Sequence, residues 1–139
     1  MKIDYPFVGR YKKRPMVPLN IINPYNNQNE RFNCLLDTGA DTCLFNSDVA
    51  VQLGHNLTGD GVKSEIAYGI SGDATSVYLH TFIIELLDPK DFSAVWKSNE
   101  SLIRCGKRND VMSLLGTDDF LSEFTITFDY INQLATLYC

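Results

Sequence analysis

Leu35-Leu36-Asp37-Thr38-Gly39-Ala40-Asp41-Thr42 decides the reading of this chain. Two apolar residues lead into Asp-Thr-Gly, which places a carboxylate at the end of a buried strand. Thr38 adds a short hydroxyl donor, and Gly39 permits a sharp turn where a side chain would crowd the backbone. A carboxylate on such a turn can approach a second one closely. Two carboxylates in contact cannot both ionise easily, so one keeps a proton and the pair serves as acid and base together. The competing reading of Asp37 is an Asx-turn residue that caps its own backbone.

The triplet occurs once. Gly116-Thr117-Asp118 has the wrong order, and Asp129 is followed by Tyr130-Ile131 with no hydroxyl-Gly pair. A carboxylate pair of this kind therefore needs a second chain.

Four segments in order carry a family likeness. Arg14-Pro15-Met16-Val17-Pro18-Leu19-Asn20-Ile21 has the character of a first strand, and Phe32 to Asp41 that of a catalytic strand and loop. Tyr68-Gly69-Ile70-Ser71-Gly72 matches a glycine-rich hairpin tip. Leu114-Leu115-Gly116-Thr117-Asp118-Asp119-Phe120-Leu121 matches an apolar-apolar-Gly motif with a following helix. Together they resemble the retropepsin-like aspartic peptidases, homodimers with one Asp-Thr-Gly per chain. A lone triplet is a weak motif; the ordered set is specific.

The resemblance implies an all-β fold, a small closed barrel with one or two short helices and a flap hairpin. It implies an endopeptidase acting on peptides or proteins, with a water activated by two Asp37 carboxylates across a homodimer. Thr38 would bond across the dimer, and Gly39 would offer its carbonyl to the substrate backbone. Ala40 and Asp41 would receive the substrate main chain. Tyr68, Gly69, Ile70, Ser71 and Gly72 would close over it. No cofactor is implied. The alternative is a binding or scaffold module that kept the fold with little or no cleavage.

One departure stands out. Retroviral members follow the second Gly with an Arg that pairs with the acidic residue after the catalytic triplet. Thr117-Asp118 stands there instead, which is closer to the non-viral, bacterial-type branch. The missing bridge is expected from Arg14 or Arg31, if it exists.

Composition sets the outer bounds. At 139 residues, 45% hydrophobic and 21% charged, the chain suits one globular domain with a sizeable core. A net charge of -5 argues against general nucleic-acid binding. No apolar run reaches the roughly 20 residues that span a bilayer, and Met1 to Pro6 lacks a secretory apolar core. The expectation is a cytoplasmic protein, unless the chain is cut from a longer precursor. Cys34, Cys43, Cys105 and Cys139 lack Cys-x-x-Cys spacing, and His55 and His80 lie near none of them, so no metal site is expected. Reduced thiols follow from the same compartment.

Residues 1–13, with the basic run Arg10 to Arg14, read as an N-terminal arm, and 14–139 as the domain. Strand signals cover Val17 to Ile22, Arg31 to Leu36, Val62 to Ile70, Asp73 to Leu86, Val111 to Leu115, Phe124 to Asp129 and Leu134 to Tyr138. Asn46-Ser47-Asp48 opens a short helix that Gly54 can end. The segment 88–110 is harder to place: Phe92 to Trp96 reads as a strand or one helical turn, Ser101 to Arg104 as a short strand, and the whole, longer than the retroviral pattern there, as an extra surface element. Leu134 to Cys139, an apolar end strand, is expected at the dimer interface because left unpaired it would expose an edge.

Overall fold

The computed structural model describes residues 1–69 and 72–139. Eleven strands and one short helix build two sheets among these residues.

The larger sheet closes on itself. It contains β2 (Met16–Ile22), β3 (Asn29–Leu36), β4 (Leu44–Phe45), β5 (Ser64–Tyr68), β6 (Ala74–Leu87), β7 (Ala94–Lys97), β8 (Ser101–Cys105) and β9 (Leu114–Leu115). The neighbours run β2-β3-β9-β4-β8-β6, and β6 pairs back onto β2, which makes a ring. The 14 residues of β6 are its spine. Its first part pairs β5, its middle pairs β8, and its last part pairs β2 and β7. His80, Phe82, Ile84 and Leu86 on one face of β6 are buried, while Leu79, Thr81, Ile83 and Glu85 on the other are half-buried. That matches a strand apolar on both faces.

Leu19, Ile21, Cys34, Phe45, Phe82, Ile103 and Leu115 fill the ring with no exposed area. The Asn23 to Gln28 turn reverses the chain between β2 and β3, and Asn27 adopts φ 61°, a left-handed position Asn tolerates. Helix α1 (Ser47–Gln52) starts where Asn46 Oδ1 accepts the Val49 N–H at 3.3 Å, and Gly54 follows it at φ 85°. A 3₁₀ turn, Leu121–Glu123, follows the Gly116 loop. No helix among the described residues is long and apolar enough to cross a membrane.

The second sheet revises two expectations. It joins β1 (Lys2–Pro6), β11 (Leu134–Tyr138) and β10 (Thr125–Asp129) in that order, all antiparallel. The segment read as an N-terminal arm thus holds a full strand. Tyr5 is buried, and its hydroxyl donates to the Leu87 carbonyl at 2.9 Å. The strand Leu134 to Tyr138 is not an open edge: both its flanks are taken within the chain, by β1 and β10. It cannot offer its backbone to a partner.

The segment 88–110 is also built into the barrel. β8 lies between β4 and β6 with Ile103 and Cys105 buried, and β7 pairs the end of β6. At 111–115, only Leu114 and Leu115 form a strand; Val111 and Met112 are exposed.

Candidate active site

Asp37 leaves the barrel at the end of β3. β3 runs parallel to β9, pairing Leu35 with Leu114 and Leu36 with Leu115, and β9 also pairs Leu44 of β4. The Leu36 N–H donates to the Pro15 carbonyl at 2.9 Å, and the Asp37 N–H to the Leu115 carbonyl at 3.1 Å. Asp37 is therefore held through its own N–H by β9, and its neighbour Leu36 is held by Pro15.

Its side chain is half-buried, and Oδ1 accepts the Gly39 N–H at 2.9 Å. The Ala40 N–H closes the turn onto the Asp37 carbonyl at 3.2 Å. This is Asx-turn geometry, and it leaves Oδ2 without a hydrogen bond among the described residues. Thr38, Gly39 and Asp41 are exposed and Ala40 is half-buried. The five loop residues expected to act together, 37 to 41, do sit together.

A second loop clamps this one. The Thr117 N–H donates to the Ala40 carbonyl at 2.9 Å and the Asp118 N–H to the Asp41 carbonyl at 2.8 Å. Gly116 is needed where the loops cross, since a Cβ there would lie 2.3 Å from the Thr42 carbonyl carbon and 2.6 Å from its Cα. The Gly116 N–H points at Cys43 Sγ, 3.4 Å away. Asp119 reaches across, and both its carboxylate oxygens face the Cys43 N–H, at 2.9 and 3.0 Å.

That carboxylate is the tie the sequence did not disclose. Neither Arg14 nor Arg31 forms an ion pair among the described residues. Arg31 instead lies over the Phe92 ring, 3.8 Å from its centroid. The two loops are held by backbone bonds and by Asp119. Its partner is a backbone N–H 76 residues away, a pairing for which side-chain pattern carries no signal.

β5 and β6 pair antiparallel, with Tyr68 opposite Ala74. The Gly69 N–H donates to the Asp73 carbonyl at 3.1 Å, and the Gly72 N–H to the Gly69 carbonyl at 2.9 Å. Gly72 adopts φ 81°, which favours glycine. Tyr68 is 74% exposed and Ile66 55%, so neither belongs to the core. Ile70 and Ser71 lie outside the described residues.

Two cavities of about 290 and 300 Å³ lie away from this loop. One is lined by Tyr5, Met16, Arg31 and Phe92, the other by Tyr25, His55, Lys63 and His80. Asp37 lines neither. No cluster of three or more His, Cys, Asp or Glu among the described residues is placed to hold a metal ion.

No protein-family model matches the chain, and no curated protein matches it in sequence. Solved structures do. A retropepsin-like aspartic protease from Rickettsia conorii aligns over 99% of this chain and 91% of its own, with TM-score 0.63 and 19% identity. The chain has the retropepsin-like fold. EIAV protease complexed with the inhibitor HBY-793 also aligns, over 84% of this chain and 93% of its own, with TM-score 0.46 and 18% identity.

Proposed function

We propose that two copies of this chain form an aspartic endopeptidase, with one Asp37 from each at a shared site. The observation that carries this reading is the Asp37 loop itself. A carboxylate with one free oxygen stands at a barrel end, on a loop clamped by Thr117, Asp118 and Asp119. Rigid placement of that kind suits a group that must meet its counterpart within hydrogen-bond range.

In this reading one Asp37 takes a proton from a water held between the pair. The other, protonated, donates to the scissile carbonyl as the water attacks it. No covalent intermediate forms. Thr38, exposed beside each Asp37, bonds across to the partner loop. Ala40 and Asp41 meet the substrate backbone, and the hairpin tip from Tyr68 to Gly72 folds over the peptide and excludes water.

The test is cleavage of a diverse peptide mixture by the purified chain at mildly acidic pH, alongside Asp37→Asn. The proposal expects cleavage that this substitution abolishes with melting temperature retained. Equal cleavage by both proteins removes the assignment, and a folded dimer with no cleavage by either favours the scaffold alternative.

A further inference from the structure

The turn between β6 and β7 repeats the turn between β2 and β3. Asn23-Pro24-Tyr25-Asn26-Asn27-Gln28 and Asp88-Pro89-Lys90-Asp91-Phe92-Ser93 share one bonding scheme. In both, the first N–H donates to the sixth carbonyl at 2.8 Å and the fifth N–H to the first carbonyl at 2.9 Å. The first side chain accepts the third N–H, at 3.0 Å in one turn and 2.8 Å in the other. The fourth side chain accepts the sixth N–H, at 2.9 and 3.0 Å. The fifth residue is left-handed in each, with φ 61° at Asn27 and 58° at Phe92. Asn tolerates that conformation, but a bulky residue is strained in it. The backbone gives no reason for a Phe at this position; its ring does.

That ring lies under Arg31, whose guanidinium carbon is 3.8 Å from its centroid. Stacking on an aromatic face fixes the guanidinium plane and leaves the N–H groups at its edge for an anion. No protein group takes them. The hydrogen-bonded arginines among the described residues are Arg104 and Arg108, and the ion pairs are Arg104 with Glu65 and Arg108 with Asp110. The acids around Arg31 are committed elsewhere. Asp88 and Asp91 hold N–H groups of their own turn. Glu85, across Asn20 from Arg31 in the sheet, accepts from Asn20 Nδ2 at 2.8 Å. Glu30 precedes Arg31 and so belongs to the other face of β3.

Arg31 and Asn33 share one face of β3, opposite Asn20 and Pro18 of β2. Both line the cavity of about 290 Å³, whose apolar walls include Pro6, Met16, Pro18, Pro89 and Phe92. Tyr5 also lines it, but its hydroxyl is given to the Leu87 carbonyl. The lining therefore offers one cation, one side-chain amide and an apolar wall, with no carboxylate. The volume lies at the small end of ligand pockets, which run from about 300 to 1,000 Å³.

We propose that this cavity is a binding site for a small organic anion, a carboxylate or phosphate on a short apolar body. The Arg31 fork takes the anionic head with Asn33 beside it, and Met16, Pro18 and Phe92 take the body. Phe92 is kept in a strained position because it holds the guanidinium ready before the ligand arrives. Arg31 precedes Asp37 on the same strand by about 20 Å at roughly 3.3 Å per residue. The site is thus separate from the Asp37 loop, and the inference does not rest on the peptidase reading.

The experiment titrates 3-phenylpropionate and phenyl phosphate into the full chain, with neutral 3-phenylpropionamide as control. Backbone amide resonances of residues 31–33 and 92 are followed by NMR. Saturable shifts there are expected with at least one anion, the tighter of the two naming the head group. The neutral control should bind at least ~10-fold more weakly. Arg31→Met keeps an apolar stem, loses the fork and should weaken anion binding at least ~10-fold. Phe92→Asn copies the fifth residue of the matching turn. It should hold or raise the melting temperature while weakening binding, whereas a Phe placed for packing alone would lose stability with affinity unchanged. Residues 31–33 and 92 unshifted by both anions, a neutral control that binds as tightly, or Arg31→Met of unchanged affinity would each overturn the proposal.

Discussion

The Asp119 carboxylate holds the backbone N–H of Cys43 between its two oxygens, at 2.9 and 3.0 Å. This contact adds a side-chain tie to the backbone bonds that join the segment after Gly116 to the Asp37 loop. Its charge makes it stronger than a neutral hydrogen bond.

Removing it should loosen the site. Asp119→Ala leaves the Cys43 N–H without its acceptor and should cost about 1.5–3 kcal/mol, the range for hydrogen bonds to charged groups. Asp119→Asn keeps one acceptor oxygen and should cost less. Thermal or denaturant unfolding of the three proteins measures the order wild type, Asn, Ala. Equal stability would show that the backbone bonds of Thr117 and Asp118 hold the loops unaided.

Gly72 tests the hairpin. Its φ of 81° strains any other residue, although a Cβ there would meet nothing within 4 Å. Gly72→Val should therefore cost about 1–2 kcal/mol through the backbone alone. If the tip closes on substrate, peptide turnover should fall much further than this loss of stability implies. Turnover that falls only in step with stability assigns the segment a structural role.

Much of the barrel was legible because its strands carry continuous or alternating apolar patterns. Val17 to Ile22, Arg31 to Leu36 and the long run to Leu86 are of this kind, and helix α1 announced itself through Asn46 and Gly54. Lys2 to Pro6 carries no strand signal because its outward residues, Lys2, Asp4 and Pro6, are charged or Pro. Only Ile3 and Tyr5 face inward, too few to signal a strand. Without that strand Leu134 to Tyr138 has the pattern of an open edge, because its partner β1 leaves no apolar signal. Asp37 to Asp41 was visible as a loop, whereas Asp119 was not, because it binds a backbone group. The ring closure of β6 onto β2 is a long-range register that no local pattern encodes.

The thiols should differ sharply in reactivity. Cys34, Cys43 and Cys105 are buried and unpaired, and Cys139 is exposed. Burial pushes Cys34 and Cys105 up to about 12. Cys43 is raised as well, by burial first and then by the Asp119 charge. Thiolates are the reactive form, so titration with a thiol reagent at neutral pH should modify only Cys139 in the native protein and all four after denaturation. Rapid native labelling of Cys43 would contradict the packing around the Gly116 loop.

Acid should weaken the region that leads into β5. His55 Nε2 lies 3.0 Å from the Thr81 carbonyl, and the His55 ring centroid is 4.7 Å from that of His80. Asp60 and Lys63 line the same cavity. Burial lowers the His55 pKa below its ordinary 6.5, the Thr81 bond opposes this, and His80 adds to it. A histidine lowered in the folded state takes its proton first in the unfolded chain. Its contribution is therefore intact above about pH 6.5 and is lost as pH falls through that value toward the folded pKa. Melting curves from pH 7.5 to pH 5.5 should show a smaller acid loss for His55→Gln than for the wild type. Parallel curves would show that His55 does not govern the acid response.

The shared Asp37 site is tested most directly by mixing. Wild-type chain and Asp37→Asn are combined at fixed total concentration, above the dimer dissociation constant, and peptide cleavage is measured as the wild-type fraction falls. If each site needs an Asp37 from both copies, activity follows the square of that fraction, so an equal mixture retains about one quarter of wild-type activity. It retains less if the mixed dimer is favoured over both homodimers, because pairing Asp37 with Asn relieves like-charge repulsion. Activity falling in direct proportion, to about one half at equal mixture, would mean that each chain works alone and would contradict the account.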